Sequence, residues 1–267
     1  MFLADTHMHS AASFDSTAPR REMARAAAAQ GLNLICFTDH HDVIDGNSQL
    51  CPTFDWPVAR AEHQAALAEH LPGLEICYGL ELGNAFGDYA AAENSLKEPG
   101  LDYVIGSVHN TGKALGYLDY YYQKYTPELA AAHLEDYFAS MLELVRWGRF
   151  DSLGHIPYPL RYMRDRDGCD VGLGPYWDLI DAILRQIVSS GIALEVNTKG
   201  FRQARSDYAA LLERYRELGG ELVTCGGDAH RPSEVGAVIR EGYELIQEKG
   251  FRYVTVFRRR KPDLIPL

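Results

Sequence analysis

The feature that most constrains the fold is an alternation of short β-rich runs with helical patterns along almost all of the 267 residues. Such alternation is typical of parallel sheets and barrels, because each helix carries the chain back to the start of the next strand. The predicted strands are residues 2–6, 34–38, 75–82, 103–108, 151–154, 193–197 and 222–225. The tail FRYVTVF is a candidate eighth, terminal strand. No linker or repeat interrupts this order, so residues 1–267 are predicted to form a single α/β barrel domain.

The boundaries of the predicted helices support this order. Pro19 opens a helical pattern that ends at Gly31, and Thr126 with Pro127 opens a longer one that ends at Gly148. Proline is favoured in the first turn of a helix and glycine just after the last.

Charge and hydropathy exclude several classes of protein. The formal net charge of −11 disfavours long nucleic acid as a partner, because an acidic surface repels polyanions. No apolar run reaches the roughly 18 to 20 residues that a membrane span needs. The start MFLADTHMHS lacks the basic and apolar segments of a secretory signal, so a cytoplasmic location is expected.

The five cysteines are scattered, odd in number and without a CxxC pair. This pattern favours reduced thiols, most of them in the core, over disulfides or a zinc knuckle. They are Cys36, Cys51, Cys77, Cys169 and Cys225.

Nearly every predicted strand ends in a histidine or a carboxylate, at the point where its apolar run gives way to a loop. The set is Asp5, His7, His9, Asp39, His40, Glu81, His109, His155, Glu195, Asp228 and His230. In βα barrels the loops after the strands form the active face, so these side chains are expected to converge. His7 and His9 are two apart, and residues i and i+2 of a strand point to the same side, so both imidazoles can bind one ion. Imidazole and carboxylate ligands without thiolate favour Zn, Mn or Fe.

The remaining histidines are interpreted differently. His63, His70 and His133 lie in predicted helices among polar residues, where a solvated surface position is expected. His41 follows His40 directly, so it is predicted to point elsewhere and is a candidate substrate contact.

Seven motifs occur in a fixed order along the chain: DTHMHS, FTDHHD, GLELG, GSVHN, SLGHIPYPLR, ALEVNTKG and CGGDAHRPSEVG. The ordered set resembles the PHP (polymerase and histidinol phosphatase) superfamily from residue 5 to residue 236. The insertion GYLDYYYQKY resembles the stand-alone histidinol-phosphate phosphatases more than the polymerase-associated domains. The resemblance implies a distorted (β/α)7 TIM-like barrel, which agrees with the seven predicted strands.

The resemblance also implies three divalent metal ions. The first would be held by His7, His9, Glu81 and Asp228, the second by Glu81, His109 and His155, and the third by Asp15, His40 and His230. For Asp15 there is an alternative, because a carboxylate just before the helix opened by Pro19 would also stabilise the positive end of that helix.

This metal cluster suits hydrolysis of a phosphate monoester. Divalent cations neutralise the phosphate and acidify bound water, and a hydroxide bridging two metals would attack in line. Arg161 and Arg202 are candidate phosphate ligands, because a guanidinium binds phosphate bidentately. Lys199 and Arg231 are further candidates. The alternative for each is a solvated surface cation.

Asp5, Asp39 and Glu195 are candidate catalytic residues behind the ligands. Each could accept an imidazole N–H, orient a metal-bound water or protonate the leaving alkoxide. Residues 117–125 are predicted to form an aromatic wall or lid, with a packing patch or a subunit interface as equal alternatives. Residues 46–57 are predicted to form a functional loop rather than a domain boundary.

The expected reaction is conversion of L-histidinol phosphate to L-histidinol and phosphate, in histidine biosynthesis. The alternative is a PHP phosphoesterase that acts on another small phosphate ester, a cyclic nucleotide or an oligonucleotide end. A metal-binding regulatory protein without turnover is disfavoured, because every expected ligand position carries a competent side chain. The expected partner is therefore a small phosphate ester, with neither long nucleic acid nor membrane.

Overall fold

The computed structural model describes residues 1–51 and 53–267 and contains, within them, ten β-strands and seven α-helices. The strands are β1 (Ala4–Met8), β2 (Leu34–Phe37), β3 (His40–Asp42), β4 (Glu75–Gly83), β5 (Tyr103–Ser107), β6 (Ser152–Leu153), β7 (Ala193–Asn197), β8 (Val223–Gly226), β9 (Tyr253–Arg258) and β10 (Lys261–Pro266). The helices are α1 (Arg20–Ala29), α2 (Trp56–Leu67), α3 (Tyr89–Ser95), α4 (Pro127–Trp147), α5 (Trp177–Ser190), α6 (Phe201–Glu217) and α7 (Ile239–Glu248).

The sheet is a nearly closed parallel barrel. Its strands pair in the order β1, β2, β4, β5, β6, β7 and β8. Between β8 and β1 the gap is spanned by a parallel bridge from Met8 to Ala229. The amide of His9 donates to the Ala229 carbonyl (2.8 Å), and the amide of Asp228 donates to the His7 carbonyl (2.7 Å). The predicted seven-stranded α/β barrel is confirmed.

The short strand β3 was not predicted. It follows β2 after two residues and pairs with the second half of β4, in register from His40 opposite Glu81 to Asp42 opposite Gly83. Its sequence, HHD, lacks the apolar alternation by which strands are recognised. Pairing with the long β4 imposes the extended conformation, and this brings His40 to the same level of the barrel as Glu81.

The C-terminal tail forms a strand, as predicted, but this strand does not join the barrel. β9 pairs antiparallel with β10 in a separate hairpin. Val256 and Phe257 of β9 pack with Ala4 and Leu34, which begin barrel strands, and the Phe257 ring stacks on Tyr103 with 5.2 Å between centroids. The hairpin therefore buries the apolar residues at the amino-terminal end of the barrel and leaves the opposite end free for a site.

The predicted helix boundaries are confirmed, apart from the end of α1, which lies at Ala29, two residues before Gly31. α1 begins directly after Pro19. α4 begins after Thr126, whose hydroxyl accepts from the Leu129 amide, and ends at Gly148, which adopts the left-handed conformation with φ +64°. Glycine reaches that conformation at little cost. No helix within the described residues is long and apolar enough to cross a membrane.

The prediction of a solvated position for His133, on α4, is corrected by the structure. His133 is 3% exposed, and its ring lies beside those of Tyr120 and Tyr125. The prediction of a solvated position is wrong there, because the tyrosine-rich segment covers this face of α4. His63 is half-buried against Tyr78, whereas His70 is exposed, as predicted.

Four of the five cysteines are buried and Cys51 is half-buried, and all five are free thiols. This agrees with the prediction of reduced, mainly core cysteines.

Candidate metal centre

The nine predicted ligands come together at the carboxyl-terminal end of the barrel. His7 and His9 leave β1 side by side, with their Nε2 atoms 3.1 Å apart. The Oε2 atom of Glu81, on β4, lies 3.1 Å from His7 Nε2 and 3.4 Å from His9 Nε2. Oδ1 of Asp228, after β8, lies 3.3 Å from His9 Nε2. Strands distant in sequence thus bring His7, His9 and Glu81 together, with Asp228 beside His9.

The second group uses the other oxygen of Glu81. Oε1 lies 3.2 Å from His109 Nε2 and 2.8 Å from His155 Nε2. The two imidazole nitrogens are 3.3 Å apart. The hydroxyl of Ser107 also donates to Oε1 (2.6 Å). Glu81 is therefore shared between the two groups, one carboxylate oxygen to each.

The third group lies nearer the solvent. Oδ2 of Asp15 is 2.7 Å from His230 Nε2 and 3.6 Å from His40 Nε2. Together with His9, these residues can direct one ligand atom each to within 4.8 Å of one another. Asp15 is in the loop before α1, and its side chain points at the histidines.

The donor set fits divalent cations. Nδ1 of His7 contacts Glu195 Oε1 at 2.6 Å, and Nδ1 of His109 contacts Asp42 Oδ2 at 2.7 Å. When each Nδ1–H donates to its carboxylate, the Nε2 lone pair is free to bind a metal, the arrangement usual for histidine ligands. Lone pairs that face each other at 3.1 and 3.3 Å repel unless a metal ion or a proton lies between them. Zn²⁺ prefers such nitrogen and oxygen ligands.

Asp42 was missed by the sequence analysis. Besides holding His109, its Oδ1 lies 3.4 Å from Nδ1 of His40. It stands two residues after His40 on β3, so the i, i+2 rule that linked His7 to His9 would have identified it. It was missed because β3 itself was not recognised.

The carboxylates dominate the electrostatics of the cluster. Burial alone would lower the pKa of His109, but Asp42 and Glu81 outweigh it and raise that pKa to about 10. Burial would raise the pKa of Glu81, but His7 and His40 hold it well below its usual range. The carboxylates are thus ionised at neutral pH, which favours the binding of cations.

Glu195 and Asp5 lie directly behind the ligands, but they make different contacts. Glu195 accepts from the His7 ring and, through Oε2, from the amide of His155 (2.8 Å). Asp5 accepts from the amides of Gly227 (2.7 Å) and His7 (3.3 Å) and contacts no imidazole ring. Burial raises the pKa of Asp5 to about 6. Glu195 orients two ligands, whereas Asp5 holds β1 to the loop after β8.

Asp39 does not face the cluster. Its carboxylate is fully buried against the Arg20 guanidinium, with 2.6 Å between Nη2 and Oδ2. It also accepts from the hydroxyls of Ser10 (2.7 Å) and Ser13 (2.9 Å). Ser13 in turn contacts the His9 ring and accepts from the His40 amide. Asp39 thus lies behind the ligands, as predicted, but it contacts no imidazole and reaches His9 and His40 through Ser13.

The backbone is strained at the ligand Asp228. Asp228 has φ +51°, a left-handed conformation that costs energy for residues other than glycine. Two residues earlier, at the end of β8, stands Gly226, where a Cβ would overlap the Cβ of His7. Close approach of the chain after β8 to β1 is what brings Asp228 beside His9.

Three predicted cations line the cavity above the cluster. The Arg161 guanidinium donates to Asn197 Oδ1 (2.7 Å), and its Nη1 lies 3.3 Å from Asp228 Oδ2. Nζ of Lys199 lies 3.4 Å from Asp228 Oδ1. Arg231 also lines the cavity, with its side chain largely exposed. Positive charge is therefore available at the mouth of the metal cluster.

Two other predicted substrate contacts lie outside this cavity. Arg202 is in the first turn of α6 and faces Glu241 of α7, with its side chain 79% exposed. The ring of His41 contacts the Ser95 hydroxyl (2.7 Å) and the Cys51 carbonyl (3.0 Å). Alternation along β3 turns His41 away from His40, and the direction of α6 carries Arg202 outward.

The cavity has a volume of about 720 Å³ and an aromatic wall. Tyr121, Tyr122, Tyr158 and Tyr162 line it. Other tyrosines of residues 117–125 pack in the interior, where Tyr120 is fully buried. The segment therefore combines the predicted wall with the alternative of a packing patch.

Residues 46–57, predicted to form a functional loop, include Pro52, which is outside the described residues, while Trp56 and Pro57 begin α2. The described part of the loop packs on the tyrosine segment: Ser48 donates to the Tyr117 carbonyl (2.7 Å). None of its described residues lines the cavity. The loop supports the wall from behind.

Comparison with known proteins identifies the family. The family model of the PHP domain matches residues 5–199, well over half of the chain. The chain belongs to the PHP domain family. The resemblance inferred from the sequence motifs is thereby confirmed, and the PHP assignment accounts for a cluster of histidines and carboxylates at the strand ends.

Relatives that match this PHP protein over nearly their whole length are named as histidinol-phosphatases. The chain is 33% identical to a probable histidinol-phosphatase of Deinococcus radiodurans, with 97% of this chain and 98% of the relative covered. It is 29% identical to the histidinol-phosphatase of Lactococcus lactis, with 97% and 96% covered. The crystal structure of histidinol phosphate phosphatase from Lactococcus lactis, complexed with Zn, L-histidinol and phosphate, matches with a TM-score of 0.85 at 28% identity, covering 98% of both chains.

Proposed function

We propose that this PHP protein is a metal-dependent phosphatase that hydrolyses L-histidinol phosphate to L-histidinol and phosphate, a step of histidine biosynthesis. The observation that carries the proposal is one cavity in which a histidine and carboxylate cluster, three cations and an aromatic wall meet. The similarity over nearly the whole chain to a phosphatase solved with Zn, L-histidinol and phosphate supports the same substrate.

The proposed metal sites follow the three ligand groups. His7, His9, Glu81 and Asp228 form the first, Glu81, His109 and His155 the second, and Asp15, His40 and His230 the third. Zn is the favoured metal, with Mn and Fe as alternatives that accept the same ligands. Bound divalent cations would neutralise the charge of the phosphate oxygens and lower the pKa of bound water towards neutrality.

The side chains around the metal sites have complementary roles. Arg161 and Lys199 would hold the phosphate, because both cations face the cavity beside Asp228. A guanidinium provides two parallel donors for phosphate oxygens. Glu195 would keep the His7 lone pair directed at the metal and hold the backbone of His155 in place. Precise orientation matters, since phosphoryl transfer depends largely on positioning and charge stabilisation.

The leaving group would lie along the tyrosine wall. Histidinol carries an imidazole ring, and aromatic rings favour offset or edge-on contacts with such a ring. Tyr158 already makes such contacts within the protein, with ring centroids 4.9 Å from His155 and 5.2 Å from His109. The wall thus begins at the metal ligands and continues outward through Tyr162 and Tyr121.

The test is phosphate release by the purified protein reconstituted separately with Zn, Mn and Fe. L-histidinol phosphate is compared with an aryl phosphate and a phosphodiester at matched concentrations. The proposal predicts a preference in kcat/KM of about a hundredfold or more for L-histidinol phosphate. Similar rates on all three substrates would contradict the proposed specificity and favour another small phosphate ester. Metal analysis of the same samples gives the number of ions bound.

A matched pair of variants tests the metal sites. Asp228→Ala should lose metal and activity together, because a carboxylate ligand and a partner of Arg161 disappear. Asp181→Ala is the control, since Asp181 pairs with Arg214 on the outer surface of the barrel, in another groove. Full turnover by Asp228→Ala would show that the first site is wrongly assigned.

A further inference from the structure

One carboxylate in the cavity differs from its neighbours. The four carboxylates of the cluster face imidazoles, while Asp165 pairs with Arg164 (2.9 Å) and Glu234 with Arg231 (3.7 Å). Asp119 also lines the cavity, yet within the described residues no Lys, Arg or His nitrogen lies within ion-pair distance of it. A half-buried carboxylate without a counter-charge is costly, so a cationic group of a ligand would stabilise it.

The backbone holds Asp119 firmly. Asp119 forms an antiparallel bridge with Asn110, and the amide of Tyr120 donates to the His109 carbonyl (3.1 Å). The Asn110 side chain adds a bond to the Tyr117 carbonyl (2.8 Å). The loop that carries Asp119 is therefore tied to the end of β5, directly after a metal ligand.

The two oxygens of Asp119 are not equivalent. Oδ1 accepts from the amide of Tyr121 (2.7 Å), whereas no hydrogen bond to Oδ2 is found within the described residues. A Cβ at Gly46 would lie 3.2 Å from Oδ2 and 3.1 Å from the Tyr122 ring. Glycine at this position lets the supporting loop approach closely, so Asp119 and Tyr122 are held side by side with one acceptor free.

Asp119 and the cations proposed to bind phosphate are carried by different strand ends of the barrel. Lys199 follows β7 and contacts the β8 ligand Asp228, whereas Asp119 is bridged to the end of β5. Tyr121 and Tyr122 follow Asp119 by two and three residues in the chain and are more than half exposed. Aromatic faces beside a carboxylate attract an ammonium group through both charge and cation–π interaction.

We infer that Asp119 is a specificity-determining residue whose carboxylate binds the ammonium group of the substrate, so that the enzyme selects phosphate monoesters carrying a primary amine. This inference rests on the proposed function and extends it. The phosphate lies at Arg161 and Lys199 over the metal cluster, and the amine lies at Asp119. The two ends of the substrate thus meet opposite charges.

The test uses Asp119→Asn, which keeps an acceptor for the Tyr121 amide but removes the charge. L-histidinol phosphate is compared with imidazolylpropyl phosphate, the same ester without the amine. For L-histidinol phosphate, kcat/KM should fall about ten- to a hundredfold, mainly through KM, as expected for a lost charged hydrogen bond. For the ester without the amine, it should change by less than about threefold.

Asp45→Asn is the matched control. Oδ1 of Asp45 accepts from the amides of Asn47 and Gln49 (both 2.9 Å) in the neighbouring loop, and its side chain is not part of the cavity wall. The charge change is identical and close by, so long-range electrostatics would affect both variants. The preference for the amine should persist in Asp45→Asn.

Two outcomes would overturn the inference. An equal fall on both esters would show that Asp119 acts on the metal cluster through His109 rather than on the amine, and no fall on either would show that it contacts neither. If the wild-type enzyme does not hydrolyse L-histidinol phosphate, the proposed function fails on its own. The comparison then uses ethanolamine phosphate against ethyl phosphate, and wild-type indifference to the amine would refute the role of Asp119.

Discussion

Replacing Arg20 with methionine should destabilise the protein far more than a surface arginine would, although Arg20 touches no predicted ligand. Arg20 and Asp39 are both fully buried, with Nη2 2.6 Å and Nε 3.1 Å from Oδ2. The guanidinium also lies 5.0 Å from the centre of the Phe37 ring and 5.4 Å from that of Tyr78. The substitution would leave Asp39 charged and buried with only neutral donors around it.

The size of the effect follows from this geometry. Two unit charges about 4 Å apart interact by about 4 kcal/mol at an effective dielectric constant of about 20. Removal of one partner of a buried pair costs about 3–5 kcal/mol. For a chain of this size that loss lowers Tm by roughly 6–20 °C. Asp39→Asn should cost a similar amount, because Arg20 then becomes the unpaired charge.

The assay is denaturant and thermal unfolding of Arg20→Met, Asp39→Asn, the double variant and Arg25→Met. Arg25 lies on the same helix and pairs with Glu69 at 2.7 Å, but its side chain is 58% exposed. Its replacement should cost less than about 1 kcal/mol. The double variant should lose less than the sum of the single variants by about 2 kcal/mol or more, since it leaves no unpaired charge.

Additive losses, or equal losses for Arg20→Met and Arg25→Met, would refute this reasoning. The pH dependence gives a second check. Burial alone would raise the pKa of Asp39, but Arg20 and the hydroxyl donors outweigh it and lower that pKa below its ordinary 3.8. A lowered carboxylate pKa stabilises the fold above about pH 4. The difference between wild type and Asp39→Asn should therefore be constant near neutrality and shrink as pH falls below that value.

Three further substitutions test the site itself. Glu195→Gln should weaken metal binding about ten- to a hundredfold, because Glu195 orients the His7 ring. Competition with a chromogenic chelator measures the metal affinity, and an unchanged affinity would contradict this role of Glu195. Arg161→Met should raise KM for phosphate esters about tenfold or more by steady-state kinetics, through loss of two donors, and a change in kcat alone would argue against phosphate binding. Arg202→Ala should leave kcat/KM within about twofold of the wild-type value, because Arg202 belongs to an exposed ion pair. A larger loss would indicate that Arg202 contacts the substrate.

Much of the candidate site was accessible from the sequence, because strand ends are marked by polar side chains after apolar runs. In a parallel barrel all such ends meet at one face, so His7, Glu81, His155 and Asp228 could be grouped without coordinates. The seven strands and both helix boundaries, at Pro19 and Thr126, are local patterns of the same kind. Each depends on residues close together along the chain.

What the sequence could not provide were the directions and partners of individual side chains. Asp39 resembled a catalytic carboxylate until the structure paired it with Arg20. Nothing in the local sequence around Arg20 indicates burial, since it opens a helix among other polar residues. Arg202 and His41 follow predicted strands as the other candidates do, yet helix direction and strand alternation turn both out of the cavity.

The sequence by itself therefore determined the barrel, the family and the chemical type of the site, since these depend on periodicity and on residue types at strand ends. Only the tertiary structure decided that β3 brings Asp42 to His109 and that the terminal hairpin covers the amino-terminal end of the barrel. It also decided that Asp119 is the cavity carboxylate without a cationic partner among the described residues. These features result from contacts between segments far apart in sequence, and no local pattern encodes them.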